Sequence, residues 1–209
     1  MSKFSVATFN VNSVRSRLHV LEKWLARDPV DVLCLQETKT MDESFPSEFF
    51  TSLGYEVMFS GEKGYNGVAI ASRFPFEEVI YGFGDGKEPG LSTRFLQAKV
   101  SGIWMINSYV PQGKSIDHPD YQLKLAFLER VRELLIRRYD PSGRVIWMGD
   151  LNVAPTDIDV TEPGKKRDHV CFHQTVKDAF ARVTSWGFVD LFRKYRPGEG
   201  EFSFWDYRV

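Results

Sequence analysis

The chain has 209 residues, 43% of them hydrophobic, enough to bury one large core, and a single domain spanning 1–209 is expected. A net charge of −1 excludes a globally basic nucleic-acid binder, so any site for a polyanion must be local. No stretch approaches a membrane span, Met1-Ser2-Lys3-Phe4 lacks the regions of a signal peptide, and Cys34 and Cys171 show no metal-ligand spacing.

Phe4 to Phe9 alternates with period two and predicts a strand that stops at the polar cluster Asn10-Val11-Asn12-Ser13. Leu18, Leu21 and Leu25 at helical spacing predict a helix over 14–27, closed by Pro29. Asp31 to Leu35 reads as a buried strand, and a free thiol at Cys34 inside it fits a reducing, cytoplasmic setting. A short helix over 45–53 ends at Gly54, and strands follow over 55–60, 67–72 and 76–80. Strands over 94–100 and 103–109 are separated by Ser101-Gly102, the signature of a hairpin. Leu125, Leu128, Val131 and Leu135 mark the longest helix, 123–139. Arg144 to Met148 is the last strand, followed by a polar loop over 155–168 and a helix over 174–186. Helices alternating with many strands, without repeats, predict a layered α/β sandwich.

Three apolar strands run directly into polar residues. The first ends at Asn10 and Asn12, the second at Gln36-Glu37-Thr38-Lys39, and the third at Gly149-Asp150-Leu151-Asn152. Taken singly, each reads first as ordinary turn chemistry. Taken together, they place polar side chains on the rim where α/β sheets hold their ligands. Glu37 and Asp150 offer anionic oxygen, and Asn10 and Asn152 offer neutral oxygen. That set suits Mg²⁺ or Mn²⁺ and does not suit zinc. Arg15, Lys39 and Arg94 are local positive charges for a phosphate.

The segments Phe9-Asn10-Val11-Asn12, Leu35-Gln36-Glu37-Thr38-Lys39 and Tyr65-Asn66-Gly67-Val68-Ala69 resemble the bacterial exonuclease III/AP endonuclease family. So do Asn107-Ser108-Tyr109-Val110-Pro111-Gln112-Gly113, Gly149-Asp150-Leu151-Asn152-Val153-Ala154-Pro155, Trp186-Gly187-Phe188-Val189-Asp190-Leu191 and Phe202-Ser203-Phe204-Trp205-Asp206-Tyr207-Arg208, in family order. The family belongs to the endonuclease/exonuclease/phosphatase superfamily. The resemblance implies a four-layered, DNase I-like α/β sandwich, two packed mixed β-sheets flanked by helices. It implies a Mg²⁺- or Mn²⁺-dependent phosphodiester hydrolase of base excision repair. Such an enzyme would cleave double-stranded DNA 5′ to abasic sites and clear nucleotides or blocking groups from 3′ ends.

The same resemblance makes Glu37 the principal metal ligand, with Asn10 organising the site. Tyr109 would orient the scissile phosphate, Asp150 would position or deprotonate the attacking water, and Asn152 would hold a phosphate oxygen; Asp150 and Asn152 also count among the metal-binding residues. Phe204 and Trp205 would wall a pocket for a flipped-out abasic sugar, with a plain core strand as the alternative. Asn12, Arg15, Lys39, Arg94, Gln112 and Lys114 would touch DNA. A phosphatase of small or lipid phosphoesters fits the superfamily chemistry but not the Trp186-Gly187 and Trp205-Asp206-Tyr207-Arg208 segments.

One departure stands out. The family continues into two more strands carrying a Ser-Asp-His-x-Pro motif, and this sequence stops at Val209 without it. The four histidines are His19, His118, His169 and His173. Asp117-His118-Pro119 imitates the motif, but its place in a loop before a helix predicts helix-start chemistry instead. The expectation is a chain lacking its last strands, an exposed sheet edge and slow hydrolysis, monomeric only at full length. The alternative is a catalytically impaired DNA-binding remnant.

Overall fold

The computed structural model describes residues 4–87, 89 and 91–204. It begins with strand β1 (Val6–Asn10), helix α1 (Val14–Arg27) and strand β2 (Val32–Gln36). Helix α2 (Ser47–Ser52) precedes β3 (Glu56–Glu62), β4 (Tyr65–Ser72), β5 (Phe76–Tyr81), β6 (Phe95–Val100) and β7 (Ile103–Tyr109). Helix α3 (Pro119–Arg138), β8 (Val145–Asp150), α4 (Gln174–Thr184) and α5 (Leu191–Tyr195) complete the order. The chain divides into two units, Met1–Tyr109 with Arg144–Leu151, and Val110–Gly143 with Asn152–Val209.

The first unit holds both sheets. One runs β1-β2-β4-β3 and the other β5-β6-β7-β8, and each is mixed. β1 pairs parallel with β2, β7 pairs parallel with β8, and every other pairing is antiparallel. The period-two alternation of a strand decides what each side chain meets. Leu33 and Leu35 of β2, with Ala69 and Ala71 of β4, pack under Leu21 and Leu25 of α1 and Phe50 of α2. Val32, Cys34, Val68 and Ile70 point the other way and meet Leu96, Ala98, Met105 and Met148 of the second sheet. Both faces of β2 are therefore covered, which is why its sequence reads as a nearly continuous apolar run. Burying one such Leu stabilises the fold by about 1.5–3 kcal/mol. Burial also pushes the Cys34 thiol far up from its ordinary value, so it stays protonated between the sheets.

One polar link crosses this apolar layer. The Asn107 amide of β7 donates to the carbonyls of Leu35 and Ala69, at 2.9 Å each, and its Oδ1 accepts from Gln36 Nε2 at 2.7 Å. Gln36 also donates to Thr8 Oγ1 at 3.0 Å. Asn107 is fully buried and Gln36 nearly so, and the link satisfies their amides across both sheets.

In the second unit, α3 turns Tyr121, Lys124, Leu128, Val131 and Leu135 inward, and α4 buries Val176, Ala179 and Val183. α3 starts at Pro119 rather than at the expected Leu123. Pro119 stands in its first turn, and His118 Nδ1 accepts from the Asp120 amide at 3.1 Å. His118 is thus the helix start that the sequence indicated. α4 ends at Thr184, short of Trp186, and Gly187 follows at a φ of +142°. α5 is not expected from the sequence; its start is marked by Asp190 accepting from the Arg193 amide at 3.0 Å. The expected β6–β7 hairpin turns through Ser101 at φ +50° and Gly102 at φ +70°, as a two-residue hairpin turn requires. Among the described residues no helix is long and apolar enough to cross a membrane.

Replacing Asn107 by Ala should lower the unfolding free energy by about 2–4 kcal/mol, because a buried amide loses its partner along with the cavity cost. Urea denaturation measures this, and an unchanged midpoint would show that the sheets hold together without the link.

Candidate active site

The two parallel strand pairs, one from each sheet, finish at one rim of the first unit. Asn10 closes the β1–β2 ladder opposite Gln36, and Tyr109 closes the β7–β8 ladder opposite Asp150. At that rim the Asn10 carboxamide uses its Nδ2 group twice. It donates to Glu37 Oε1 at 2.7 Å and to Asp150 Oδ2 at 2.8 Å, while its Oδ1 accepts from the Asn12 amide at 3.0 Å. Two carboxylates 113 positions apart in sequence are thus brought to one neutral amide. Charge-assisted donation of this kind stabilises their ionised forms.

Glu37 stands at φ +53° and Lys39 at the same value, a left-handed backbone that costs a residue with a Cβ on the order of 1–3 kcal/mol. The surroundings hold the segment from two sides. Val11, Ser13 and Val14 amides donate to the carbonyls of Gln36, Glu37 and Thr38 at 2.8–3.1 Å, and Thr38 and Lys39 amides donate to Gly67 and Asn66. Gly67 is needed there, since a Cβ on it would lie 2.0 Å from Thr38 Oγ1. Gly149 has a φ of +135°, and a Cβ on it would meet the Ser108 carbonyl oxygen at 1.9 Å. That close approach lays the end of β8 against β7 and sets Asp150 in place.

Electrostatics favours an ionised Glu37. Burial alone would raise its carboxyl. Donation from Asn10 and Lys39, the Lys39 charge and a hydrogen bond from Tyr109 outweigh burial and hold it below its ordinary value. Lys39 Nζ lies 2.8 Å from Glu37 Oε2 and also donates to Asn12 Oδ1. Burial first, then the Glu37 charge, pushes the Tyr109 phenol far up, so Tyr109 remains a proton donor. Arg94 lies 4.6 Å from the centre of the Tyr109 ring and donates to the Tyr109 carbonyl at 3.2 Å. The structure thus gathers Asn10, Asn12, Glu37, Lys39, Arg94, Tyr109 and Asp150 of the expected set. It engages Arg15 elsewhere, on the Ser44 carbonyl at 2.8 Å.

This oxygen set fits Mg²⁺ or Mn²⁺. Magnesium keeps several waters and takes one or two carboxylates plus substrate phosphate, and Glu37 and Asp150 supply that number. Among the described residues no group of three His, Cys, Asp or Glu side chains forms a fuller protein cage of the zinc type. Glu37 already seats one cation, the Lys39 ammonium, between carboxylate and amide oxygens.

The remaining expected residues belong to the second unit. Asn152 adopts φ +50°, which Asn tolerates, and its Nδ2 donates to the Val110 carbonyl at 2.9 Å. Gln112 and Lys114 are exposed, Gln112 Oε1 accepts from the Lys114 amide at 3.2 Å, and Lys114 pairs with Asp120 at 2.8 Å. Phe204 is exposed, and Trp205 lies outside the described residues. The residue that sequence reasoning missed is Lys124, wholly buried and donating to the carbonyls of Gln112, Asn152 and Val170. Its signal was a lysine in register with the apolar stripe Tyr121, Leu128, Val131 and Leu135.

A model described as the endonuclease/exonuclease/phosphatase family matches residues 7–208. Exodeoxyribonuclease III of Haemophilus influenzae is 32% identical over 212 residues, covering 96% of this chain and 79% of its own length. An AP endonuclease from Archaeoglobus fulgidus matches with a TM-score of 0.95 at 47% identity, over 99% of this chain and 80% of that one. A 3′ phosphatase from Neisseria, solved with a product DNA hairpin, matches with a TM-score of 0.90 at 30% identity, over 99% and 80%. The two solved structures share the α/β sandwich expected from the sequence.

The depressed Glu37 carboxyl gives a pH test. Its folded value lies below the unfolded one, near 4.5, so its stabilisation is complete above that value and is lost as pH falls through the folded one. In urea titrations the advantage of the wild type over Glu37→Gln should therefore shrink between about pH 7 and about pH 3. A pH-independent difference would contradict the assignment.

Proposed function

Because the chain belongs to the endonuclease/exonuclease/phosphatase family, in its exonuclease III and AP endonuclease branch, we propose that it is a metal-dependent phosphodiester hydrolase of DNA repair. Its substrates on this reading are duplex DNA with abasic sites, cut on the 5′ side, and 3′ ends carrying nucleotides or blocking groups. The observation that supports it best is the Asn10 carboxamide shared by Glu37 and Asp150.

The chemistry follows from that arrangement. Bound at Glu37, with Asp150 and the amide oxygens nearby, Mg²⁺ or Mn²⁺ would supply charge neutralisation to the phosphodiester. Asn10 holds the two carboxylates at one point and helps keep Glu37 ionised. Glu37 would hold the cation, and Asp150 would orient a water and accept its proton as the water oxygen bonds to phosphorus. The bond from phosphorus to the 3′ oxygen breaks, and that oxygen leaves as a 3′ hydroxyl protonated from solvent. Tyr109, held protonated, donates to a non-bridging oxygen as negative charge builds there. Asn152, one residue beyond Leu151, is assigned to a phosphate oxygen. Lys39 and Arg94 add positive charge for the backbone, and Asn12, Arg15, Gln112, Lys114, Phe204 and Trp205 are assigned to the surrounding DNA. The named relatives, an exodeoxyribonuclease, an AP endonuclease and a 3′ phosphatase, support both kinds of substrate.

The decisive experiment is nicking of a duplex with one abasic site, in Mg²⁺, Mn²⁺ or chelator, by the wild type and Glu37→Ala. Metal-dependent nicking that falls by about a hundredfold or more in the variant is expected. Tight binding of the abasic duplex without nicking would overturn the reading. Tyr109→Phe, which removes only the donor, should lower kcat by about ten- to a hundredfold with little change in KM. A raised KM with kcat unchanged would assign Tyr109 to substrate binding instead.

A further inference from the structure

We propose that Lys124 is a positioning residue: its buried ammonium sets the backbone of the two loops that carry Asn152 and Gln112. The inference rests on the hydrolase reading and goes beyond it in naming what holds those loops. Lys124 Nζ donates to the Asn152 carbonyl at 2.6 Å, the Val170 carbonyl at 2.8 Å and the Gln112 carbonyl at 3.1 Å, with Cys171 Sγ at 3.7 Å. The residue is 0% exposed.

Burying an ammonium costs free energy unless its donors are satisfied, so a lysine at a core position of α3 needs a reason. The acceptors supply one. They are main-chain oxygens from three segments distant in sequence, and each lies in a loop or turn outside the helices and strands. An ammonium has three N–H groups directed apart and can serve three converging carbonyls. A carboxamide has two N–H donors, and a guanidinium holds its donors in one plane. Lysine is the side chain that fits.

Both loops are tied at more than one point. Asn152 has its carbonyl on Lys124, its Nδ2 on the Val110 carbonyl at 2.9 Å, and its Oδ1 facing Cys171 Sγ at 3.8 Å. That fixes backbone and carboxamide together in the left-handed conformation at φ +50°. The Gln112 segment lies hard on α3, since a Cβ on Gly113 would be 3.2 Å from Tyr121 Cδ2 and 3.5 Å from Lys124 Cδ. Removing the ammonium releases Asn152 and Gln112 at once while leaving their side chains intact. A misplacement of that kind lowers a rate without deleting any group that touches substrate.

The test is a double-mutant cycle on single-turnover nicking of the abasic duplex, with Lys124→Met made in the wild type and in Asn152→Ala. Lys124→Met should slow the wild type by about 10–100-fold and Asn152→Ala by no more than about threefold further, because it acts through Asn152. Losses that simply multiply would overturn the proposal. A second measurement does not depend on turnover. Hydrogen exchange in Lys124→Met should quicken together around residues 110–114, 152–154 and 168–172, and stay unchanged in β6 and β7. Unchanged exchange in those segments overturns the proposal even in an active enzyme. Inert wild-type protein with the expected exchange pattern overturns only the hydrolase reading. Should Lys124→Met fail to fold, Lys124→Gln, which keeps two donors, should give both effects at smaller amplitude.

Discussion

Two β-sheets packed through apolar side chains have little to fix their register, because the hydrophobic effect has no direction and a small slide costs few contacts. Hydrogen bonds do have direction. The Asn107 amide of β7 reaches into the other sheet and takes the paired residues Leu35 and Ala69 by their carbonyls, with Gln36 returning the bond. A shift of one residue would leave these buried amides without partners, at a cost of about 1–3 kcal/mol each. The link lies one residue inside the rim on β2 and two inside it on β7. The ends of β1 and β2 therefore arrive beside the ends of β7 and β8, and Asn10 can span from Glu37 to Asp150.

With the sheets fixed, the rim concentrates charge and strain. Two carboxylates, a lysine and an arginine share it with a phenol that stays protonated. Glu37 sits in a backbone conformation that most residues avoid, held by amides of both flanking segments. Such strain persists where the surroundings over-determine it, and it occurs most often at sites of function. The second unit handles its own burial problem in the same manner, with one ammonium spending its donors on three loop carbonyls.

Much of this was legible in the sequence. Strands that are buried on both faces announce themselves as apolar runs, and polar residues directly after them mark the rim. Asn10, Glu37 and Asp150 were readable on that ground, and Tyr109 only through the family resemblance. Residues whose meaning depends on a distant partner were not. Gln36 and Asn107 are polar residues within strands, and only the pairing of two sheets reveals that each satisfies the other. Arg15 reads as a charge for phosphate, and nothing in its own segment shows that it also donates to the Ser44 carbonyl of a later turn. Lys124 stood on the apolar stripe of its helix, where the periodicity was plain and the exception to it passed unnoticed. The leucines of α3 begin four residues after its first residue, so periodicity alone sets the start at Leu123 although His118-Pro119 marks it, and α5 is too short for periodicity to show.

The obstruction facing Gly149 is the carbonyl oxygen of Ser108, a main-chain atom. Whatever side chain occupies position 108, that oxygen is there. A substitution at 149 therefore has no suppressor at the residue it strikes, unlike a clash between side chains, which a smaller neighbour relieves. The end of β8 is in this sense an evolutionary dead end: the chain can drift around Asp150 but cannot drift at the glycine before it.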